Sequence, residues 1–293
     1  MNVALTGASG FIGRHLTPKL SAEGYDIRAL GRRRVGEASF VPWDASREPP
    51  ADALEGCGAV IHLAGETVAQ RWTAKSKQRM RQSRIGGARH LVSALAKLAQ
   101  KPAVILSASA VGFYGSQADT ILTESASRGE GFLAELVEEW EAATRAAEAF
   151  GVRVVHLRFG IVLGRDGGAF PKMALPFRFG AGGKLGSGKQ WTPWIHVEDA
   201  TNLVVFALRN PGVRGAMNVT APNPVTNSEF TRTLAHVLRR PALFTVPEFV
   251  LKLALGEMSE AVISSVRAIP AVAQSGGFQF QYAALEPALK DIA

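Results

Sequence analysis

Residues 2–13 read Asn2-Val3-Ala4-Leu5-Thr6-Gly7-Ala8-Ser9-Gly10-Phe11-Ile12-Gly13, a short apolar strand running into glycines spaced three apart. Between a strand and a helix, that spacing builds a dinucleotide phosphate site. Gly7 permits a tight turn out of the strand. Gly10 lets the main chain approach a pyrophosphate with no Cβ in the way, and Gly13 lets the new helix pack closely on the sheet. The free N–H groups of the first helical turn, starting near Phe11-Ile12, face the phosphates at the positive end of the helix dipole. Arg14-His15-Leu16 to Leu20 continue as a helix, the context that separates this run from an ordinary glycine loop. Gly7, Ser9, Gly10, Phe11, Ile12 and Gly13 are therefore the expected phosphate-binding residues, and the expected ligand is NAD or NADP.

At 293 residues and 47% hydrophobic, the chain can bury one large core, or a core with a smaller lobe attached. Its single cysteine, Cys57, excludes an intrachain disulfide and any cysteine-cluster metal site, which suits a reducing compartment such as the cytoplasm. No basic run precedes an apolar stretch at the start, so no signal peptide is expected. No apolar run approaches the roughly 18 residues of a membrane span. The net charge of +8 is spread along the chain, with clusters at Arg32-Arg33-Arg34 and from Lys75 to Arg84. A small anionic cofactor accounts for the first cluster more economically than nucleic acid does.

Strand-like runs at Val3–Leu5, Asp26–Leu30, Ala59–Leu63, Ala103–Leu106 and Val152–Leu157 alternate with helical patterns, which predicts an α/β fold with a doubly wound parallel sheet. Leu91, Val92, Leu95, Leu98 and Ala99 mark a crossover helix over 88–99 that ends before Pro102. Leu133, Leu136, Val137 and Trp140 stripe a second helix over 133–150, stopped by Gly151. From Arg165 to Gly188 glycine and proline predict turns and a mobile connection. Residues 194–199 lead into a helix through Leu208, 216–219 read as a strand, and the remainder reads as a small second lobe. The expected division is 1–165 plus 196–221 for the nucleotide domain, and 166–195 plus 222–293 for the smaller substrate or capping lobe.

Four stations, Thr6 to Gly13, His62-Leu63-Ala64-Gly65, Leu106-Ser107-Ala108-Ser109 and Trp194 to Asp199, resemble the extended short-chain dehydrogenase/reductases of the nucleotide-sugar epimerase group. The tail adds a narrower match. Val246-Pro247, Leu255-Gly256-Glu257-Met258-Ser259, Gly277-Phe278-Gln279-Phe280 and Ala288-Leu289, with Gly65-Glu66, Arg71-Trp72 and Ser83-Arg84, resemble an atypical subgroup of epimerase family proteins. The resemblance implies a Rossmann-like domain with a smaller C-terminal substrate lobe.

In an NAD site of this kind an acid near the end of the second strand receives the ribose hydroxyls. Here the chain reads Leu30-Gly31-Arg32-Arg33-Arg34. Loss of the carboxylate and gain of guanidinium groups suit a 2′-phosphate, so NADP (NADPH) is expected, with Arg32 first and Arg33 second. The same run would also serve as a solvated basic turn. By resemblance Asp44 accepts from the adenine amino group, although an aspartate in a surface turn fits that place as well. Leu63, Ala64 and Gly65 correspond to the stretch beside the cofactor ribose, Ser107 and Ala108 to the strand end beneath it, and Phe159 and Gly160 to the stretch near the carboxamide.

Short-chain dehydrogenases ordinarily pair a tyrosine with a lysine four residues later, so that the ammonium lowers the phenol pKa and holds the nicotinamide ribose. The three tyrosines here are followed at that distance by Ala29, Ala118 and Glu286. Phe132 and Leu136 fall at or near the expected positions. Ser109 remains where the family's serine meets the substrate oxygen, and Tyr114 lies within reach as a hydrogen-bond donor; these two are the catalytic candidates. Glu66, Lys184 and Trp191 are the substrate-contact candidates, the last two on the glycine-rich connection, where an exposed loop is the plainer alternative. His196 and Asp199 are expected to support the join between lobes, and no metal site is expected. Two functions follow: an NADP-binding oxidoreductase or epimerase-like enzyme with a small-molecule substrate, or a catalytically silent NADP-binding regulatory protein.

Overall fold

The computed structural model describes residues 1–34, 36 and 38–293. Seven strands, β1 (Asn2–Thr6), β2 (Asp26–Gly31), β3 (Ser39–Pro42), β4 (Cys57–His62), β5 (Val104–Ala110), β6 (Arg153–Phe159) and β7 (Gly215–Val219), form one parallel sheet in the order β7-β6-β5-β4-β1-β2-β3. The chain winds outward from β1 to β3, then crosses back to β4 and winds the other way. That reversal puts the topological switch point at the carboxyl ends of β1 and β4, the place where ligands of such sheets bind.

Alternation along the strands sorts side chains onto two faces. Val3, Leu5, Leu106 and Leu157 meet α1 (Phe11–Ala22) and the later helix Val197–Arg209, whereas Ala4, Val60, Ile105 and Val154 meet the helix Gly87–Lys97. Both faces are therefore covered by helices, as the alternating pattern predicts. Two further helices concern the site, α2 (Ala74–Arg81) and α3 (Gly87–Lys97), joined by a π-helical turn at Gln82–Gly86. The helix α4 (Phe132–Arg145) runs into a short 3-10 stretch to Phe150, and Gly151 closes it in the left-handed region at φ 85°.

The glycine- and proline-rich connection is more ordered than its composition suggests. It contains a helix, α5 (Phe170–Arg178), and a short strand at Gly183–Leu185 paired with Phe244–Val246. Phe170, Ala174 and Phe177 recur at helical spacing and are buried, and Pro171 opens the helix where its missing N–H costs nothing. This stripe packs against Phe230, Leu234, Leu285 and Leu289. Residues 271–280, expected in that lobe, instead lie on the core of the nucleotide domain, where Ala273 is fully buried and the Phe278 ring meets Phe206 edge-on at 5.5 Å. Among the described residues no helix is long and apolar enough to cross a membrane.

Candidate functional site

The glycine turn is a cradle that a Cβ would fill. Gly7 has φ +75°, and a Cβ there would lie 2.7 Å from the Leu63 carbonyl carbon; one on Gly13 would lie 2.3 Å from the Gly7 oxygen. The exit of β4 thus presses directly on the turn, held by Leu63 N–H donating to Thr6 O (3.1 Å) and Ala64 N–H to Thr6 Oγ (3.2 Å). Helix α1 begins at Phe11 with no side-chain cap and no acid in its first turn, which leaves the N-terminal N–H groups to an anion. Ser9 and Gly10 are exposed there, and the Phe11 ring packs inward against Gly164, Gly167 and Gly168. These residues fit a dinucleotide pyrophosphate.

Arg32 and Arg33 lie exposed past the end of β2. Asp44 follows β3 and accepts from the Ser46 N–H (2.8 Å) and hydroxyl; those bonds, with Arg47 and Arg32 nearby, hold its carboxyl below the usual range. Gly65 is exposed beyond β4, while Ser107 and Phe159 are buried near the ends of β5 and β6.

Ser109 and Tyr114 are brought together, but inside the molecule. Ser109 Oγ donates to Glu141 Oε1 (2.6 Å), and Arg158 grips the same carboxylate with two bonds of 2.8 Å. The Tyr114 hydroxyl donates to Asn218 Oδ1 (2.7 Å) and accepts from Arg158 Nη1 (3.1 Å). Tyr114 is fully buried and Ser109 nearly so, and the Arg158 guanidinium stacks 3.5 Å from the centre of the Phe113 ring. Burial pushes the Tyr114 phenol up against the pull of Arg158. Burial alone would raise the Glu141 carboxyl too, but Arg158, His156 and Ser109 together hold it below its ordinary value. Glu141 and Arg158 went unassigned in the sequence, although an acid on an apolar helical stripe and a charge inside the run 154–159 are the marks of such a pair.

The helix also fixes which positions face the strand. A Cβ on Gly112 would meet the Leu133 side chain at 3.2 Å, and Glu141 on the same stripe reaches Ser109. Leu133 therefore lies against the turn after β5, and Phe132, Leu133 and Leu136 all join the cluster that includes Ala108 of β5. Phe132 also meets Trp72 edge-on at 5.3 Å, with Lys77 4.8 Å from its ring centre.

The remaining candidates are dispersed. Glu66, at the rim, accepts from Gln70 (3.4 Å) and lies 3.6 Å from Arg79 Nε. Trp191 bonds Asp119 through its indole N–H and carries Arg267 4.1 Å from its ring centre; Lys184 sits in the Gly183–Leu185 strand. Asp199 accepts from the Gln281 and Tyr282 N–H groups, joining the tail to the nucleotide domain. The tail also clasps the loop after β4 and the helix α2 that follows it: Glu257 pairs with Lys77 of α2, Gly256 abuts Arg71, and Met258 packs on the cluster holding Trp72. No group of three His, Cys, Asp or Glu among the described residues is placed to hold a metal ion.

Two buried histidines make the region acid-sensitive. Burial, reinforced by Arg84, pushes His62 down to about 4, and burial against the opposing pull of Glu141 takes His156 to about 4. Because the folded values lie below the ordinary 6.5, the unfolded chain takes up protons first as pH falls, and stability is lost between about 6.5 and 4. Each group contributes roughly 3 kcal/mol to that loss. Urea midpoints measured across this window should fall steeply in the wild type and less in His156→Gln.

Comparison with known proteins fits this geometry. The model of the NAD dependent epimerase/dehydratase family matches residues 3–220, and a domain of unknown function, DUF1731, matches 246–292. The Bacillus subtilis epimerase family protein YfhF is 42% identical over 100% of this chain and 98% of its own length. The chloroplastic SDR39U1 homolog of Arabidopsis thaliana is 38% identical over 100% of this chain and 86% of its own length. A crystal structure of the human epimerase family protein SDR39U1 with NADPH superposes with a TM-score of 0.90 at 33% identity, covering 100% of this chain and 99% of that one. With residues 3–220 and the C-terminal segment both matched, the chain belongs to the NAD dependent epimerase/dehydratase family, among the epimerase family proteins.

Proposed function

We propose that the chain is an NADP(H)-dependent oxidoreductase or epimerase-like enzyme acting on a small-molecule substrate in the cytoplasm. The observation that carries this is the end of β2, where Arg32-Arg33-Arg34 stand exposed beside the phosphate turn and the stretch from Ile27 to Arg34 carries no carboxylate. The NADPH of the human relative supports the same choice. Gly7, Ser9, Gly10 and the first turn of α1 hold the pyrophosphate, Arg32 and Arg33 the 2′-phosphate, and Leu63–Gly65 the ribose side. When bound, the dinucleotide supplies hydride transfer at its nicotinamide ring. Ser109 and Tyr114 shape the end of β5 through the Glu141–Arg158 pair, and the tail packs on the segment that follows Glu66.

A second reading, a silent NADP-binding regulatory protein, is favoured by one observation: the Ser109 and Tyr114 hydroxyls already have partners, and α4 brings only apolar Phe132, Leu133 and Leu136 to the cluster holding Ala108 of β5. Nucleotide released on denaturation, and titration with NADPH and NADH, test the cofactor. Arg32→Ala is expected to weaken NADPH roughly 10–100-fold and leave NADH unchanged, the loss of one charge-assisted phosphate contact. A chain with no NADPH affinity sinks both readings. NADPH oxidation across aldehydes, ketones, quinones and nucleotide sugars then separates them, since inactivity throughout favours the silent protein.

A further inference from the structure

The tail helix Glu248–Leu255 reads Glu248-Phe249-Val250-Leu251-Lys252-Leu253-Ala254-Leu255, six apolar residues in eight, yet only Leu251 is buried. A helix apolar on every side is normally covered on every side. This one is held at its two ends and bare between them. At its start the Glu248 side chain lies 3.1 Å from where a Cβ on Gly186 would be, and at its end residues 256–258 make the clasp on Arg71, Lys77 and the Trp72 cluster. Along its length Phe249 and Leu253, four residues apart, form an exposed stripe with Val250 beside it.

The neighbouring elements extend that stripe. A Cβ on Gly183 would lie 2.2 Å from the Phe244 oxygen, and one on Gly182 would lie 2.3 Å from the Phe177 ring. Residues 182–186 therefore hold together the end of α5, the strand Phe244–Val246 and the start of the tail helix. The strand brings exposed Leu243 and Phe244, and the end of α5 brings a second stripe of Leu175 and Phe179. Seven of the ten large apolar side chains exposed among the described residues thus belong to these three adjoining elements, each between 36% and 85% exposed. Together they leave roughly 900 Å² open to water, where a monomer's largest apolar patch usually covers about 300–600 Å². A stable interface of standard size takes about 800 Å² from each partner.

Area and charge select the occupant. Glu248 and Glu260 are exposed beside the patch, as are Lys252 and Arg178, so its rim carries both signs. An anionic lipid surface is met best by cations alone. A second copy turned through a twofold axis sets apolar stripe on apolar stripe and brings acids of one rim to bases of the other. We propose that this face is a dimer interface, through which two copies of the chain dock by the helix Glu248–Leu255 and the adjoining ends of α5 and the strand Phe244–Val246. Phe179, Phe249 and Leu253 are its anchors, since aromatic and large apolar side chains at the centre of a patch carry most of the binding energy. The assignment is independent of the cofactor.

Sedimentation velocity of the full chain, run without nucleotide, tests it. The wild type is expected to be a dimer at about 100 µM, and Phe249→Ser and Leu253→Ser each to raise the dissociation constant roughly 10–100-fold or more. Ile121→Ser, which changes an exposed apolar residue outside the patch, should leave the dissociation constant as it is. Hydrogen exchange on the wild type needs no substitution: amides of residues 243–255 should be protected in the dimer and lose that protection on dilution below the dissociation constant. A wild type that is monomeric at about 100 µM overturns the proposal. So does a dimer whose dissociation constant ignores both substitutions, or whose concentration-dependent protection lies elsewhere. Flotation with phosphatidylcholine vesicles, with and without phosphatidylglycerol, covers the other occupant: a monomer that floats, and fails to float as Phe249→Ser, gives the patch to a membrane surface and overturns the dimer.

Discussion

Gly13→Ala is expected to abolish NADPH binding in titration and to lower stability by about 1–3 kcal/mol. The added methyl would fall 2.3 Å from the Gly7 oxygen and 2.7 Å from the Ala8 Cα, both backbone atoms of the turn. Neither can rotate away, so α1 must draw back from the turn, and its N-terminal N–H groups leave the phosphate position with it. Gly86→Ala is the control, because Gly86 has φ −62° and nothing lies within 4 Å of its Cβ position. That variant should bind NADPH as the wild type does and be stabilised by up to about 1 kcal/mol. A Gly13→Ala protein with wild-type NADPH affinity would remove the phosphate turn from the site.

The second large effect belongs to Glu141. Glu141→Gln keeps the shape of the side chain but leaves the Arg158 guanidinium buried without its carboxylate, a loss of about 3–5 kcal/mol in chemical denaturation. Ser109→Ala removes one hydrogen bond to that carboxylate and should cost about 1 kcal/mol. Tyr114→Phe strands Asn218 Oδ1 and Arg158 Nη1 and should fall between them, at about 1–3 kcal/mol. That ordering is the signature of a brace built on the ion pair. If Ser109→Ala instead stopped NADPH turnover with stability unchanged, its hydroxyl would have to be counted among the reacting groups.

The phosphate turn was legible because all its determinants are local. Gly7, Gly10 and Gly13 lie within one turn of each other, and strand, turn and helix follow in sequence. The sheet was legible for the same reason, from short buried runs such as Val3–Leu5 and Val152–Leu157. The helix Phe170–Arg178 was masked by its surroundings: the glycines and prolines around it suggested turns, while the stripe of Phe170, Ala174 and Phe177 carried the better signal. Register on α4 was ambiguous because Phe132, Leu133, Leu136 and Val137 are all apolar, so no polar residue marks which of them meets β5. The brace was illegible in principle, since Ser109 meets Glu141 across 32 residues and Tyr114 meets Asn218 across 104.

The clasp between residues 256–258 and the loop after β4 bears on the order in which this protein can become functional. During synthesis the seven strands are all available once β7 has emerged, so the sheet can form while the tail, including the 271–280 segment that completes its core, is still being made. Residues 256–258 leave the ribosome more than thirty residues later, and only then can Glu257 reach Lys77 and Met258 cover Trp72. The half that carries the glycine turn therefore gains its last long-range contacts, those of residues 256–258 and 271–280, only as synthesis nears its end.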